Sequence, residues 1–560
     1  MCKINITKLS KDNTRYLNEI NREIKKDYIE AVNRQSIYAD NKLAWYATPF
    51  GSKNTYVCNV MEVISKILLI KRITNEKNLK EIIVDDVLQK EILREILPDN
   101  IKIKCINNEI WRKIQIIKDM VNILAYLSMI LMHYIAYSLA KGLNKKLKKY
   151  KKEEINIIET ILYRNSFDDK YKLKDRHFDT LTKKENSERN VIFPIIYGLF
   201  NYYTFYRRAI KSNHNIIFIQ DLVPLKKIIL PIIWAKKNKY KMGENFIIDE
   251  VNFIKIAEKS LRKHRFKPST LYGYLRYIAI KNFEDKKYKI EKVIRWHENH
   301  EVDHMAVAAW RELNSPPKIL GYADMFPPNN YLSPYVTDQE IKSKIYPDKM
   351  FVIGEYWRKE FNKCNTIKAD ILVTCSYRFN FSSNNFMKNY NQKKLTQKLL
   401  IFSLPANLEG KKQIIKILSD FENELNDAEI KDYQFLLRPH PSDATKIKLK
   451  FKRLKIQIDS ITEFESLLSK CMLVISAASS VQLQALLSGV RAVTVSKLSK
   501  LSDCAVPVSF NGFGHDEIFD AKELVMLMRD MKNTNTIIMS DIEKEKYVSI
   551  EKKYNLASEF

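Results

Sequence analysis

The chain has 560 residues, enough for two or three domains, and its 45% apolar content excludes a disordered polyelectrolyte. A net charge of +29, from 95 Lys and Arg against 66 Asp and Glu, points toward polyanions or an anionic membrane surface, although Lys, Ile and Asn are enriched throughout and part of it is general residue bias. Seven scattered cysteines, none in a CxxC pair, exclude a disulfide scaffold and a thiolate metal site and fit a reducing compartment.

The first residues lack an apolar run of signal-peptide length, so a cytoplasmic protein is expected, and 1–40 read as a polar N-terminal extension. Leu43 to Ala47 reads as a strand and Thr55 to Arg72 as an amphipathic helix, with Thr48, Ser52 and Lys53 in the loop between them as candidate cleft groups. Glu81 to Val84 and Ile101 to Cys105 read as further strands. Asp85-Asp86 is the nearest approach to a metal-binding D-x-D and reads as structural, so no metal and no cofactor is expected.

Met120 to Ala140 contains no Lys, Arg, Asp or Glu and precedes a lysine-dense run from Lys141 to Lys152. A single span would separate the first strands from the rest of their sheet, so the reading is a membrane-facing helical insertion around 109–152 with a basic flank for anionic lipid, against a long core helix. Val191 to Tyr206 is a second uncharged, aromatic-rich stretch. It fits either the bilayer interface or a strand followed by a buried helix. Between the two lies a charged, aromatic segment whose Asp175 and Arg176 are candidate cleft residues.

Val293 to Trp296 reads as a strand followed by a helix running to Glu312. Glu298, at the strand's carboxyl end, is the candidate base for an acceptor hydroxyl, against a surface glutamate that merely favours the helix dipole. His300 to His304 is also a formal H-E-x-x-H zinc match, opposed by Asp303 inside it and by the lack of a clear third ligand. The proline-rich run Pro316 to Pro334 reads as the linker between an N-terminal Rossmann-like, acceptor-side domain over 41–335 and a C-terminal, donor domain over 345–535, with a C-terminal helix over 536–560.

In the second domain strands alternate with helices, and Gly354 and Ser403 lie at strand ends. Phe435 to Leu437 ends in Arg438-Pro439-His440-Pro441-Ser442, where the prolines hold a loop open. Met472 to Ile475 is a second buried strand, and Ser476 to Ser480 opens a helix whose first N–H groups attract phosphate. Arg438, His440, Ser479 and Ser480 are therefore expected to converge on one anion, a nucleotide phosphate, with Pro441 and Ser442 beside it. The bland alternative is a common strand end and tight helix packing.

These motifs resemble the HP and Ser-Ser motifs of GT-B bacterial glycosyltransferases that use CMP-activated sugars, such as sialyltransferases and capsule Kdo transferases. The chain from about Leu43 is also similar to a family of bacterial surface-carbohydrate (O-antigen, capsule) biosynthesis proteins, which carries a short motif like Asp175-Arg176-His177-Phe178. The resemblance implies an α/β fold of two Rossmann-like domains facing a cleft, and metal-independent transfer of a sugar from a nucleotide donor, CMP-linked and Kdo- or sialic-acid-like, to a lipid-linked or saccharide acceptor. It implies a place at the inner face of the cytoplasmic membrane. The alternatives are a CDP-alditol phosphotransferase, a non-catalytic scaffold of a polysaccharide assembly complex, and the zinc protease. No aromatic-and-basic module of a recognised kind is present, so nucleic acid is not an expected partner.

Overall fold

Three parallel sheets organise the computed structural model, which describes residues 2–76, 79–106, 111–142, 154–178, 181, 189–198, 201–238, 240–286, 288–376, 398–405, 407–440, 451–477, 479–510, 512, 514–531 and 546–548. The expected sites Pro441 and Ser442, the lysine run from 143 to 152 and most of the expected C-terminal helix lie outside the described residues.

The first sheet has three strands, β1 (Cys2–Asn5), β2 (Leu79–Val84) and β3 (Lys102–Cys105), in that order. It packs with helices α1 (Lys11–Glu23), α2 (Lys25–Ile37), α3 (Lys42–Tyr46) and α4 (Val60–Glu76) around a core that includes Leu17, Ile29, Trp45, Leu68 and Ile82. The first forty residues are thus integral to this layer: the polar face of α1 turns outward while Leu17 and Ile20 are fully buried. The strand expected at Leu43 to Ala47 is instead α3. Asn41 caps it by accepting from the Ala44 N–H at 3.0 Å, and a short apolar run alone does not distinguish strand from buried helix. Asp86 caps α5 (Val87–Ile96) through the Leu88 N–H, the structural role expected of the acidic pair.

A 32-residue helix, α6 (Trp111–Gly142), leads into the second sheet. Its strands are β4 (Glu154–Glu159), β5 (Asn190–Ile192), β6 (Lys289–Trp296), β7 (Lys318–Ala323), β8 (Lys349–Val352) and β9 (Ile371–Val373), all parallel, in the order β9-β8-β7-β6-β4-β5. Two expectations change here. The proline-rich run is no linker, because its residues 318–323 form β7, with Pro316-Pro317 before the strand and the other prolines beyond it. Strands β8 and β9, assigned to the C-terminal half, pair into this sheet, so the second Rossmann-like unit begins after β9. The stretch Val191 to Tyr206 folds inward as β5 and the start of α7 (Tyr202–Lys211), with Phe205 and Tyr206 buried. Helix α7 packs on α6, α8 (Leu230–Lys237) packs on α9 (Pro268–Lys281), and α10 (Glu301–Arg311), which follows β6, packs on α9.

The third sheet comprises β10 (Leu399–Ser403), β11 (Gln434–Arg438), β12 (Ile456–Ile458), β13 (Cys471–Ser476), β14 (Arg491–Val495) and β15 (His515–Ile518), ordered β12-β11-β10-β13-β14-β15 and again all parallel. Helix α11 (Leu408–Glu424) covers it, and α12 (Val481–Leu487) follows β13 and is stopped by Gly489 at φ +73°, a conformation that favours glycine. One apolar cluster joins the two large sheets: Trp296, Tyr322 and Val352 from one side share it with Ile401, Leu436 and Val474 from the other. The fold is α/β with two Rossmann-like units, each built on a six-stranded parallel sheet.

Candidate functional site at two sheet edges

In an open parallel sheet a ligand crevice forms beyond the carboxyl ends of the strands, where the chain order reverses direction. The second sheet runs outward from β4 to β5 and then the other way through β6, so its switch point lies between β4 and β6. The third runs from β10 outward to β12 and back through β13, so its switch point lies between β10 and β13. Glu298 follows the end of β6, and Ser403 and Ser476 end β10 and β13. The two edges border one junction: the loop after β7 and the loop after β14 are joined by Asn329 N–H to Cys504 O (2.8 Å), Asn329 Nδ2 to Val506 O (2.9 Å) and Asn330 Nδ2 to Asp503 Oδ1 (3.1 Å).

At the first edge the carboxylate of Glu298, half-buried, accepts from Trp296 Nε1 at 2.8 Å and from the Tyr331 hydroxyl at 3.4 Å. Tyr331 stacks on Tyr56 with centroids 4.6 Å apart. Desolvation of the Tyr56 hydroxyl, with the charges of Asp503 and Glu298 adding to it, pushes it well above its usual range, while the residue as a whole is exposed. Asp503, exposed in the loop after β14, is likewise pushed upward by desolvation.

A fully buried ionic chain fixes this edge. Arg276 donates to Glu159 Oε1 at 2.7 Å, Arg295 lies 3.4 Å from Glu159 Oε2, and Arg295 donates to Asp303 Oδ1 at 2.7 Å. Asp303 Oδ2 in turn accepts from the Glu298 N–H at 2.9 Å, which sets the position of that loop. Burial alone would raise the Asp303 carboxyl, but the charges of His300, Arg295 and His297 outweigh it and hold it far below the usual range. Burial also opposes charge on His300, yet Asp303, Glu301 and Glu298 together raise it above its ordinary value.

Asp175 is buried under the same edge, accepting from Thr160 Oγ1 (2.9 Å) and from the N–H groups of His177 (2.8 Å) and Phe178 (3.1 Å). It shapes the turn that packs His177 against Trp296, centroids 4.0 Å apart and rings tilted by 44°, with Arg176 half-buried in that turn. Thr48, Ser52 and Lys53 do not line an open cleft. Thr48 Oγ1 bonds within its own turn, Ser52 Oγ lies 3.3 Å from Glu301, and Lys53 is buried against Glu340. Burial raises the Glu340 carboxyl, but Lys53 and His304 bring it down to about 2. The histidines of the H-E-x-x-H match are not arranged to share a cation: His304 Nε2 meets Asn299 Oδ1 at 2.9 Å, its Nδ1 meets Tyr46 O at 3.3 Å, and His300 Nδ1 lies 3.5 Å from Asp303. Asn299, at φ +59°, makes the tight bend that places it there, and also donates to Ser333 O at 2.8 Å.

At the second edge the register sets Arg438 beside Ser403, Ser403 beside Ser476 and Ser476 beside Thr494. Ser476 Oγ donates to Ser403 O across the switch point at 2.9 Å. The Gln482 amide ties the edge from below, donating to Ser476 O (3.1 Å), Val493 O (3.0 Å) and Thr494 Oγ1 (2.8 Å). Arg438 lies 4.0 Å from Asp459 and over the Phe464 ring, and its Nη1 is buried without a hydrogen-bond partner among the described residues. His440 is half-buried two residues on, and Ser479 and Ser480 are half-buried before α12. The helix starts at Val481, later than expected, because Ser476 completes the strand. Gly354 belongs to the other sheet: Tyr547 lies so close that a Cβ there would meet its carbonyl oxygen at 2.2 Å.

Sequence reasoning missed Tyr56, Tyr331, Asp503 and the ionic chain. Tyr331 directly follows Pro327-Pro328-Asn329-Asn330 in a loop after an apolar strand, a signal obscured by the linker reading; nothing local marks Asp503.

No family model matches the chain, and no curated protein matches it. Among solved structures the chain is similar to the glycotransferase of kitacinnamycin (9% identity, 69% of this chain and 92% of that one, TM-score 0.37). It is similar to a UDP-GlcNAc 2-epimerase from Neisseria meningitidis bound to UDP-GlcNAc (10% identity, 71% and 95% covered, TM-score 0.37) and to a wall teichoic acid polymerase (10% identity, 77% and 90% covered, TM-score 0.33). Likeness at this level carries no residue role across.

Proposed function

We propose that the protein is a glycosyltransferase that moves a sugar from a nucleotide donor to a lipid-linked or saccharide acceptor in bacterial surface-polysaccharide synthesis. The favoured donor is CMP-linked, with a Kdo- or sialic-acid-like sugar. The observation that carries the reading is the incompletely paired cation Arg438 beside one switch point, opposite a carboxylate, Glu298, at the other. Arg438, His440, Ser479 and Ser480 would hold the donor phosphate, while the acceptor hydroxyl would approach from the side of Glu298. As the acceptor oxygen attacks the anomeric carbon, its proton passes to the Glu298 carboxylate. The bond from the anomeric carbon to the phosphate oxygen breaks, and its electron pair stays on the phosphate, stabilised by Arg438. This scheme neutralises the leaving group with protein cations and hydroxyls and requires no metal.

The test is release of CMP by purified protein offered CMP-sugars, with and without saccharide or lipid-linked acceptor, in parallel with CDP-glycerol. Acceptor-dependent CMP release from a CMP-sugar that is lost in His440→Ala, with an unchanged melting curve, is the expected result. Release from CDP-glycerol alone would replace sugar transfer with phosphoalditol transfer, and release undiminished in His440→Ala would overturn the site assignment.

A further inference from the structure

In a helix at the surface of a soluble protein the aliphatic stripe normally faces the core and the polar side faces water. Helix α6 is built the other way round. Its inward face is aromatic and polar: Tyr126 donates to Ile228 O (3.0 Å), Tyr134 to Val223 O (2.6 Å) and Tyr137 to Asp221, and His133 Nδ1 meets the Tyr206 hydroxyl at 2.9 Å. Its outward face carries Ile116, Met120, Leu124, Leu131, Ile135 and Leu139 at helical spacing, each between 39% and 64% exposed. The stripe extends for about 36 Å at 1.5 Å per residue. The adjoining segment adds Leu225, Ile229, Leu230 and Ile233, also exposed. An apolar surface this long, continuous over two elements, marks an interaction face.

The rim of that face is basic. Lys118, Lys226, Lys236 and Lys237 are exposed on the same two elements, while the acids nearby are engaged: Asp119 accepts from Gln115 at 2.6 Å, and Asp221 from Lys141 at 3.0 Å as well as from Tyr137. Between Leu225 and Lys237 there is no acid at all. We infer that the outer face of α6, together with residues 225–237, is a platform that lies in the plane of an anionic lipid surface, its aliphatic side chains entering the acyl boundary and its lysines meeting headgroup phosphates. The helix does not span the bilayer: the tyrosine and histidine contacts stitch its inner face to 206–228 from Tyr126 to Tyr137, and a span would break them. Only 33% of its most apolar window is buried, too little for a core helix. This placement is independent of the sugar-transfer reading and stands or falls without it.

Flotation of the full-length protein with vesicles tests it. Vesicles of phosphatidylcholine with about one-third phosphatidylglycerol should carry the protein upward at about 0.1 M salt and release most of it at about 1 M, where the screening length falls to about 3 Å. Phosphatidylcholine alone should carry little. The triple variant Met120→Glu, Leu124→Glu, Ile135→Glu changes only exposed positions and should lose flotation at least about tenfold with an unchanged melting curve. The variant Lys226→Glu, Lys236→Glu should lose only the advantage of anionic vesicles. Wild-type protein that never floats overturns the platform, as does a triple variant that floats like wild type. Protein that resists alkaline extraction overturns the in-plane geometry. A dimer in sedimentation that the triple variant dissociates means that a second copy covers the face instead.

Discussion

At the carboxyl edge of the second sheet, structure is held by charge: Arg276, Glu159, Arg295 and Asp303 form a chain with no access to water, and the loop bearing Glu298 hangs from its end. At the corresponding edge of the third sheet, structure is held by neutral groups, the Gln482 amide and the hydroxyls of Ser476 and Thr494, while Arg438, 4.0 Å from Asp459, keeps a buried N–H with no hydrogen-bond partner among the described residues. Both sheets are six-stranded and parallel, and both reverse direction at the edge in question. The difference shows where each half has free charge to offer. The second sheet consumes its cations internally and presents a carboxylate. The third leaves a cation incompletely compensated at the place where a phosphate would dock. In the proposed reaction the base and the leaving-group contacts would come from different halves, each held by a kind of bonding that does not compete with its own ligand.

The sharpest way to break this contrast is at Glu298. Glu298→Gln keeps one oxygen to accept from Trp296 Nε1, turns its amide N–H toward the Tyr331 hydroxyl, which can rotate to accept, and removes the proton acceptor, so transfer should fall by about 10²–10⁴ in kcat while stability changes little; steady-state kinetics beside a urea melt checks both. Next in size is the ionic chain. Arg295→Met leaves Glu159 and Asp303 as buried carboxylates short of a partner and should cost about 3–5 kcal/mol in chemical denaturation. On the third sheet the matching change, Gln482→Leu, strands only neutral acceptors and should cost about 1–3 kcal/mol. Equal costs would show that the two edges are not built differently.

How far the sequence discloses this contrast depends on how local each signal is. The third-sheet edge is legible, since Phe435–Leu437 and Met472–Ile475 are apolar runs that end abruptly in Arg438-Pro439-His440 and in small polar residues, and both strands form as expected. Glu298 at the end of β6 is legible for the same reason. The ionic chain is not, because Glu159, Arg276, Arg295 and Asp303 are far apart in sequence and a charged residue in a strand pattern reads as solvent-facing until its partners are known. The domain boundary was lost to prolines. Pro316 and Pro334 resemble linker punctuation, yet they flank a central strand, and only the pairing of β8 and β9 with β7 reveals it. Residues 43–47 could have been either state. What decided them was Asn41, two residues upstream, acting as a cap.

A smaller effect concerns pH. With Glu340 held at about 2 by Lys53 and His304 against the opposing effect of burial, its stabilisation is fully present above about pH 4.5 and is lost as pH falls through the folded value. The denaturation midpoint of the wild type should therefore drop between about pH 4.5 and 2. In Lys53→Met the midpoint should already be lower at neutral pH, and its further fall on acidification should be shallower, because protonating an unpartnered carboxylate relieves the penalty. His300 works in the opposite direction. Its raised value makes its contribution complete below about pH 6.5 and lost as pH climbs through the folded value, a shallow loss of stability on the alkaline side that His300→Gln should abolish.

The central claim, a phosphate at the third-sheet switch point held by Arg438, is tested most directly by calorimetric titration of CMP into wild type, Arg438→Ala and Glu298→Gln. The expected result is binding to wild type, at least about tenfold weaker binding to Arg438→Ala, and unchanged binding to Glu298→Gln. Equal affinity of wild type and Arg438→Ala, or loss of binding in Glu298→Gln instead, would contradict it.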